Sequence, residues 1–276
     1  MITGHTRIAG VIGAPVTHSL SPILMNSWIE AAGINGAYVP LAANPDLSAK
    51  DLRALGKSGI AGLNVTLPFK TIAAECADQR SEAVIETGAA NLLLFGAEGI
   101  EARNTDIDGI HFALAGAGQA FSQRSVLILG AGGVARAVCA AARQGEAARI
   151  FVANRTRSRA DELAKTFNGE SLEPDNIEDV LHSADIIVNA TSLGLDGQTG
   201  PSIDWTICKP GAIAFDTLYT PARRPFTEAA KAAGLILVDG LSMLIGQARP
   251  SFEALFGVAV PETVEADALL RKALAP

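Results

Sequence analysis

Residues 125–142 read SVLILGAGGVARAVCAAA, and this stretch decides the fold. Ser125–Leu129 is a short apolar run of strand length. It enters Gly130-Ala131-Gly132-Gly133-Val134-Ala135 directly, and a helix through about Ala142 follows. A strand, a glycine turn and a helix in that order form the G-x-G-x-x-A arrangement of a dinucleotide site. Gly130 permits the tight turn, Gly132 lets the backbone approach a pyrophosphate, and a small Ala135 allows close packing of helix on strand. The helix N-terminus presents free N–H groups to the phosphates. Glycines alone could serve only a turn, and it is the flanking strand and helix that favour the nucleotide.

Working outward, the pattern stays regular downstream. Strands are predicted at Arg149–Ala153, Asp185–Asn189, Ala212–Phe215 and Ile236–Val238, with helices from Arg157 and over Pro225–Ala233 between them. Right-handed crossovers make this a doubly wound parallel sheet of Rossmann type. Beyond Asp239 only helices are predicted, over Leu241–Phe256 and Glu262–Leu274, and these are expected to pack back on the first domain. Upstream, strands are predicted at Ile8–Ile12, Ala37–Leu41, Gly62–Val65, Asn91–Phe95 and Ile100–Arg103. Helices are predicted over Pro22–Ala32, with Ser21 as N-cap and Pro22 at the first position, over Asp46–Gly56 and Asp78–Thr87, and from near Asp108. The chain is thus α/β throughout, with an N-terminal domain over 1–105 completed by 241–276 and a nucleotide domain over 106–240.

Composition bounds the partners. The chain has 276 residues, 49% hydrophobic and 18% charged, enough apolar material for two cores. A formal charge of −7 argues against a nucleic-acid partner. Cys76, Cys139 and Cys208 match neither a zinc site nor a disulfide framework, and His5, His18, His111 and His182 lie too far apart for a local metal motif. The apolar stretch Ile8–Val16 is broken by Gly10, Gly13 and Pro15 and reads as a strand and turn rather than a signal peptide. No run reaches the ~20 apolar residues of a membrane helix. A cytoplasmic, reduced, metal-free protein that meets small molecules, as monomer or homodimer, is expected.

The end of the second nucleotide-domain strand points to the form of the dinucleotide. NAD sites place Asp or Glu there for the ribose 2′-hydroxyl. This chain has Asn154-Arg155-Thr156, with Arg159 four residues beyond Arg155. Two guanidinium groups can clamp a 2′-phosphate by charge-assisted hydrogen bonds. Arg157 reads as a solvated helix start. Cations at a helix N-terminus oppose the macrodipole, so the cluster calls for an anion. NADP is the expected cofactor.

Three polar segments of the first domain stand at the ends of predicted strands, where α/β sheets bind ligands. They are Gly13-Ala14-Pro15-Val16-Thr17-His18-Ser19-Leu20-Ser21-Pro22, Asn64-Val65-Thr66-Leu67-Pro68-Phe69-Lys70 and Asn104-Thr105-Asp106. Each residue has a structural reading as well: Ser21 as a helix cap, Asn64 and Thr66 as turn formers, Asp106 as the cap of the next helix. Three such segments beside a nucleotide site favour a ligand.

With these motifs in order, the chain resembles the shikimate dehydrogenase family over essentially its whole length. Asn154-Arg155-Thr156, Asn189-Ala190-Thr191-Ser192-Leu193-Gly194 and the late run from Gly240 through Met243, Leu244 and Gln247 to Ala248 complete the set. The resemblance implies reversible reduction of 3-dehydroshikimate to shikimate by NADPH, in an open enzyme with its cleft between substrate and nucleotide domains. It implies a catalytic pair of Lys70 and Asp106, and a substrate carboxylate on Ser19 and Ser21. Ring hydroxyls would meet Asn64, Thr66, Asn91, Asp106 and Gln247, with Tyr219 near the substrate. Thr191, Ser192, Leu218 and Gly240 would join Gly130 to Ala135 and Asn154, Arg155, Thr156 and Arg159 on the cofactor, Gly240 near the nicotinamide. Lys70 suits the chemistry, since a ketone oxygen that receives a hydride must also gain a proton.

Several positions depart from the family pattern: Met25 for His, Leu92 for Thr, Ile107 for Gly, and Arg223-Arg224 before Pro225 where Thr is usual. Met25 and Leu92 border the expected substrate side. Two other readings stay open, a quinate-oxidising paralogue and a non-catalytic NADP-binding sensor. Lys70 and Asp106 argue against the sensor, which needs no proton-transfer pair.

Overall fold

The computed structural model describes residues 2–275. The chain forms two compact units, one from the N-terminal residues up to Asp106 with Leu244–Ala275, the other from Ile107–Met243.

In the first unit, β1 (Arg7–Gly13), α1 (Ser21–Ala31), β2 (Gly36–Ala42), α2 (Ala49–Leu55) and β3 (Gly62–Val65) open the fold. Then come α3 (Lys70–Cys76), β4 (Gln79–Arg80), α4 (Glu82–Thr87), β5 (Leu92–Gly96) and β6 (Gly99–Arg103), and α5 (Asp106–Gly116) leaves the first unit after its first residue. The sheet order is β2-β1-β3-β5-β6-β4. β1 runs parallel to β2 and β3, whereas β5 is antiparallel to both β3 and β6. One face is closed by Leu52, Phe69, Ala73, Ala74 and Val84 against Leu63, Val65, Leu93 and Ala102.

Several expected elements begin elsewhere. The stretch Asp78–Thr87, read as one helix, splits because Asp78 receives the Ile100 N–H and the Arg53 guanidinium, which commits Gln79–Arg80 to β6. Ser81 then caps α4 by accepting from the Val84 N–H. Ser21 is not an N-cap: α1 starts at Ser21 itself, with Leu20 before it and no side-chain cap. α5 starts at Asp106, not near Asp108, and Asn104 accepts from the Asp106 N–H at 2.9 Å. That contact is a turn just before the helix, and the Asp106 carboxylate is bound by Lys70 and Asn91 instead. The seven-residue α3 has no counterpart in the sequence reading.

The second unit continues with β7 (Ser125–Leu129), α6 (Gly133–Gln144), β8 (Arg149–Ala153), α7 (Arg157–Thr166), β9 (Glu170–Leu172), α8 (Glu178–Leu181) and β10 (Ile186–Asn189). β11 (Ile213–Asp216), α9 (Pro225–Ala232) and β12 (Ile236–Asp239) complete its sheet. Every strand pair is parallel, in the order β12-β11-β10-β7-β8-β9. The central strands are almost wholly apolar, as a sheet covered on both faces requires. β9 and α8, both short, were not expected.

α10 (Gly240–Phe256) and α11 (Ala266–Leu274) end the chain. Within the first unit Phe252 of α10 stands edge-on to Trp28 with centroids 5.5 Å apart, and Arg7 donates to the Leu255 carbonyl. Among the described residues no helix is long and apolar enough to cross a membrane, and no cluster of side chains could hold a metal ion.

Candidate active site

In the first unit, strand ends and helix starts bring the polar segments together. Lys70 is the first residue of α3 and Asp106 the first of α5. Lys70 Nζ lies 2.6 Å from Asp106 Oδ2, with side-chain exposures of 9% and 1%. Asn91, just before β5, donates through Nδ2 to Asp106 Oδ1 at 3.0 Å and to Thr105 Oγ1 at 2.9 Å. Gln247 Oε1 lies 3.2 Å from the same nitrogen. Asn64 on β3 donates to the Asn91 carbonyl, and its Oδ1 accepts from the Tyr38 hydroxyl at 2.8 Å. Lys70, Asn91, Asp106, Asn64 and Gln247 thus form one connected group. Its centre is a buried ammonium–carboxylate pair whose remaining carboxylate oxygen is held by an amide.

Ser19, Ser21 and Thr66 are half-buried, and their hydroxyls donate to no other group among the described residues. Ser19 Oγ accepts from the Ser21 N–H at 3.3 Å, which holds the two residues as one turn. A Cβ on Gly13 would stand 2.4 Å from the Thr66 methyl, so Gly13 is the residue that lets this loop approach β3. Met25 and Leu92 do not border a ligand surface: they are 1% and 0% exposed and belong to the core. Sequence reasoning missed Tyr38, and it missed Ser251, a fully buried hydroxyl on α10 that joins this group. Ser251 follows Gln247 by one helical turn, and that spacing was the available signal.

In the second unit, Gly130 turns the chain at φ +111°, and a Cβ there would lie 2.8 Å from the Ala190 carbonyl oxygen. Gly132 is exposed, and a Cβ on it would meet nothing within 4 Å. No side chain caps α6, and its first turn carries Gly133, Val134 and the fully buried Ala135. That open cradle at a helix N-terminus fits a pyrophosphate. At the end of β8, Asn154 donates to the Thr156 carbonyl at 2.9 Å. Arg155 and Arg159 are exposed and form no ion pair among the described residues, whereas Arg157 is bound by Asp161 and Glu173. Two uncommitted guanidinium groups suit a phosphate monoester on the adenosine ribose.

Thr191 and Asn189 bond each other through hydroxyl and amide oxygen at 2.7 Å, and Ser192 is exposed beside them. Asn189 also donates to Asp216 Oδ1, and Arg224 binds Asp216 Oδ2 at 2.6 Å with both charges buried. Burial pushes the Asp216 carboxyl above its ordinary value, with Arg224 pulling the other way. This group, also missed from sequence, anchors the loop carrying Leu218 and Tyr219, whose backbone Gly240 touches. A Cβ on Gly240 would stand 2.4 Å from the Thr217 carbonyl oxygen. Burial holds the thiols of Cys76 and Cys139 up at about 11 and about 12, so neither is a ready nucleophile.

Residues 11–93 match the family model of the shikimate dehydrogenase substrate binding domain, and residues 113–194 that of shikimate / quinate 5-dehydrogenase. The NADP-dependent shikimate dehydrogenase of Maricaulis maris is 43% identical over 262 residues, 94% of each chain. The crystal structure of shikimate dehydrogenase from Aquifex aeolicus has a TM-score of 0.90 at 34% identity, covering 98% of this chain and 100% of that one. Shikimate 5-dehydrogenase from Thermus thermophilus, solved with NADP(H) and shikimate, has a TM-score of 0.85 at 31% identity over 98% and 100%.

Proposed function

The chain belongs to the shikimate dehydrogenase family, and from that premise we propose that it catalyses the reversible NADPH-dependent reduction of 3-dehydroshikimate to shikimate, on the route to chorismate and the aromatic amino acids. The observation that carries the reading is the buried Lys70–Asp106 pair at 2.6 Å. A buried ion pair stabilises a fold little better than well-packed apolar side chains would. Its placement among Asn91, Asn64 and Gln247 therefore favours a chemical role over a structural one.

When bound, the dihydronicotinamide supplies the hydride, and its oxidised form receives it in the reverse direction. Lys70 donates a proton to the oxygen left at the reduced carbon, and its charge stabilises that oxygen as it becomes negative. Asp106 Oδ2 holds the ammonium in place, and Asn91 holds the carboxylate. In the reverse direction Lys70 takes the hydroxyl proton back. Ser19 and Ser21 donate to the substrate carboxylate, Asn64, Thr66, Asn91, Asp106 and Gln247 meet ring hydroxyls, and Tyr219 is a further substrate residue.

Gly130, Ala131, Gly132, Gly133, Val134 and Ala135 take the pyrophosphate, and Asn154, Arg155, Thr156 and Arg159 take the adenosine ribose and its phosphate. Thr191, Ser192 and Leu218 join them on the cofactor, with Gly240 near the nicotinamide. The unit up to Asp106 with the C-terminal helices is the substrate domain, and the other is the NADP domain. We read the enzyme as cytoplasmic, in keeping with its three free cysteines, and as a monomer or homodimer. Absorbance of NADPH tests the proposal: with NADP, shikimate should drive reduction of the cofactor much faster than quinate does. No turnover of shikimate, or equal turnover of quinate, would refute it.

A further inference from the structure

Ser251 on α10 is fully buried and its Oγ meets three polar groups. It lies 3.0 Å from the Gln247 carbonyl oxygen, 3.0 Å from Asn64 Nδ2 and 3.2 Å from Thr105 Oγ1. A serine hydroxyl has one proton and two lone pairs. The carbonyl can only accept, so the proton goes to Gln247, and the lone pairs receive Asn64 and Thr105.

That assignment propagates. The second hydrogen of Asn64 Nδ2 goes to the Asn91 carbonyl at 3.1 Å, so both amide hydrogens are consumed. The Tyr38 hydroxyl takes one lone pair of Asn64 Oδ1. Asn64 is left with a single lone pair to offer a ligand. The Asn91 amide is fixed by the same logic, because its Oδ1 accepts from the Thr105 N–H at 2.8 Å. Its hydrogens then face Thr105 Oγ1 and Asp106 Oδ1, the two nearest acceptors, with Gln247 Oε1 sharing them at 3.2 Å.

We infer that Ser251 is a positioning residue which, by holding the Asn64 amide hydrogens inward, restricts Asn64 to accepting a hydrogen bond from a substrate hydroxyl. The site therefore selects a ring that bears a donor at that position over one with a carbonyl or ether oxygen there. The inference rests on the substrate reading given above and adds a residue and a polarity to it. Replacing Ser251 by Ala frees one Asn64 hydrogen and returns the Thr105 hydroxyl to Asn91 Oδ1, 3.3 Å away.

Steady-state kinetics with shikimate, and with analogues in which each non-reacting ring hydroxyl is in turn removed or O-methylated, test it. For Ser251→Ala the KM for shikimate should rise by about fivefold, the scale of one lost hydrogen bond, with kcat and the KM for NADP within about twofold of the wild type. The rise should vanish for the one analogue lacking the hydroxyl that Asn64 receives, and the O-methylated analogue at that position should bind the variant better than it binds the wild type. Ser251→Cys, nearly isosteric and a weak donor, should show a smaller rise of the same kind and covers a failure of the alanine variant to fold. The same KM factor for every analogue in a folded variant, or a fall in kcat at constant KM, overturns the inference while leaving shikimate oxidation intact. A wild type that does not oxidise shikimate overturns the functional reading and this inference with it.

Discussion

Replacing Lys70 by Met keeps the side chain out to Cε and removes the charged Nζ. Asp106, 1% exposed, then retains Asn91 on Oδ1 and has nothing on Oδ2. Removing one partner of a buried pair costs about 3–5 kcal/mol. The 9% exposure of the Lys70 side chain lets some water reach the gap, which favours the lower end. About 3 kcal/mol corresponds to a fall in melting temperature of roughly 6–12 °C at the 2–4 °C per kcal/mol usual for chains near this size. The double variant Lys70→Met with Asp106→Leu leaves no unpaired charge and should melt well above the sum of the single losses. Turnover should fall at least ~100-fold in Lys70→Met, because water must replace the positioned proton donor, while the KM for shikimate changes far less. Thermal melts of the three variants beside NADPH-coupled assays give both readouts. A kcat within about tenfold of the wild type, or additive melting losses, would refute this account of the pair.

Arg155→Glu with Arg159→Glu should abolish the preference for NADP over NAD, whereas Arg157→Ala, whose partners are Asp161 and Glu173, should leave it unchanged. Equal kcat/KM for the two cofactors in the unmodified protein would end that reading. Ser19→Ala and Ser21→Ala should each raise the KM for shikimate without altering NADP binding. Because Ser21 is not a cap, its loss should lower stability by less than the ~1 kcal/mol of a true cap, and unchanged KM values would move the carboxylate elsewhere. The Ile100 N–H and the Arg53 guanidinium hold the Asp78 carboxyl below its ordinary value of 3.8. A depressed folded value means stability that is present above pH 3.8 and lost as pH falls through the lower folded value. Melting curves taken from neutral pH down through that range should therefore converge for the wild type and Asp78→Asn, and parallel curves would contradict it.

Much of this protein is written in local chemistry. The alternation of short apolar runs with amphipathic stretches determines an α/β chain, since burial on a sheet and on a helix demand different periods. Gly130 and Gly132 after a strand determine the turn, because backbone must pass where a Cβ would collide or where a ligand must approach. Lys70, Asp106, Asn91 and Gln247 were legible as motif residues, but not as partners. What tertiary structure alone decided depends on strand order and register. Asn64 meets Ser251 across 187 positions and Thr105 meets Ser251 across 146, because the sheet sets β3 and the end of β6 on either side of β5 and α10 carries Ser251 to both. Ser48 and Ser81 cap helices whereas Ser21 does not, because capping depends on backbone angles that residue type does not fix. Met25 and Leu92 sit in the core for the same reason: one face of each element is turned inward by the sheet it packs on. Residue identity determines which groups can donate, accept or carry charge, and packing over long sequence separations decides which of them share a hydrogen bond.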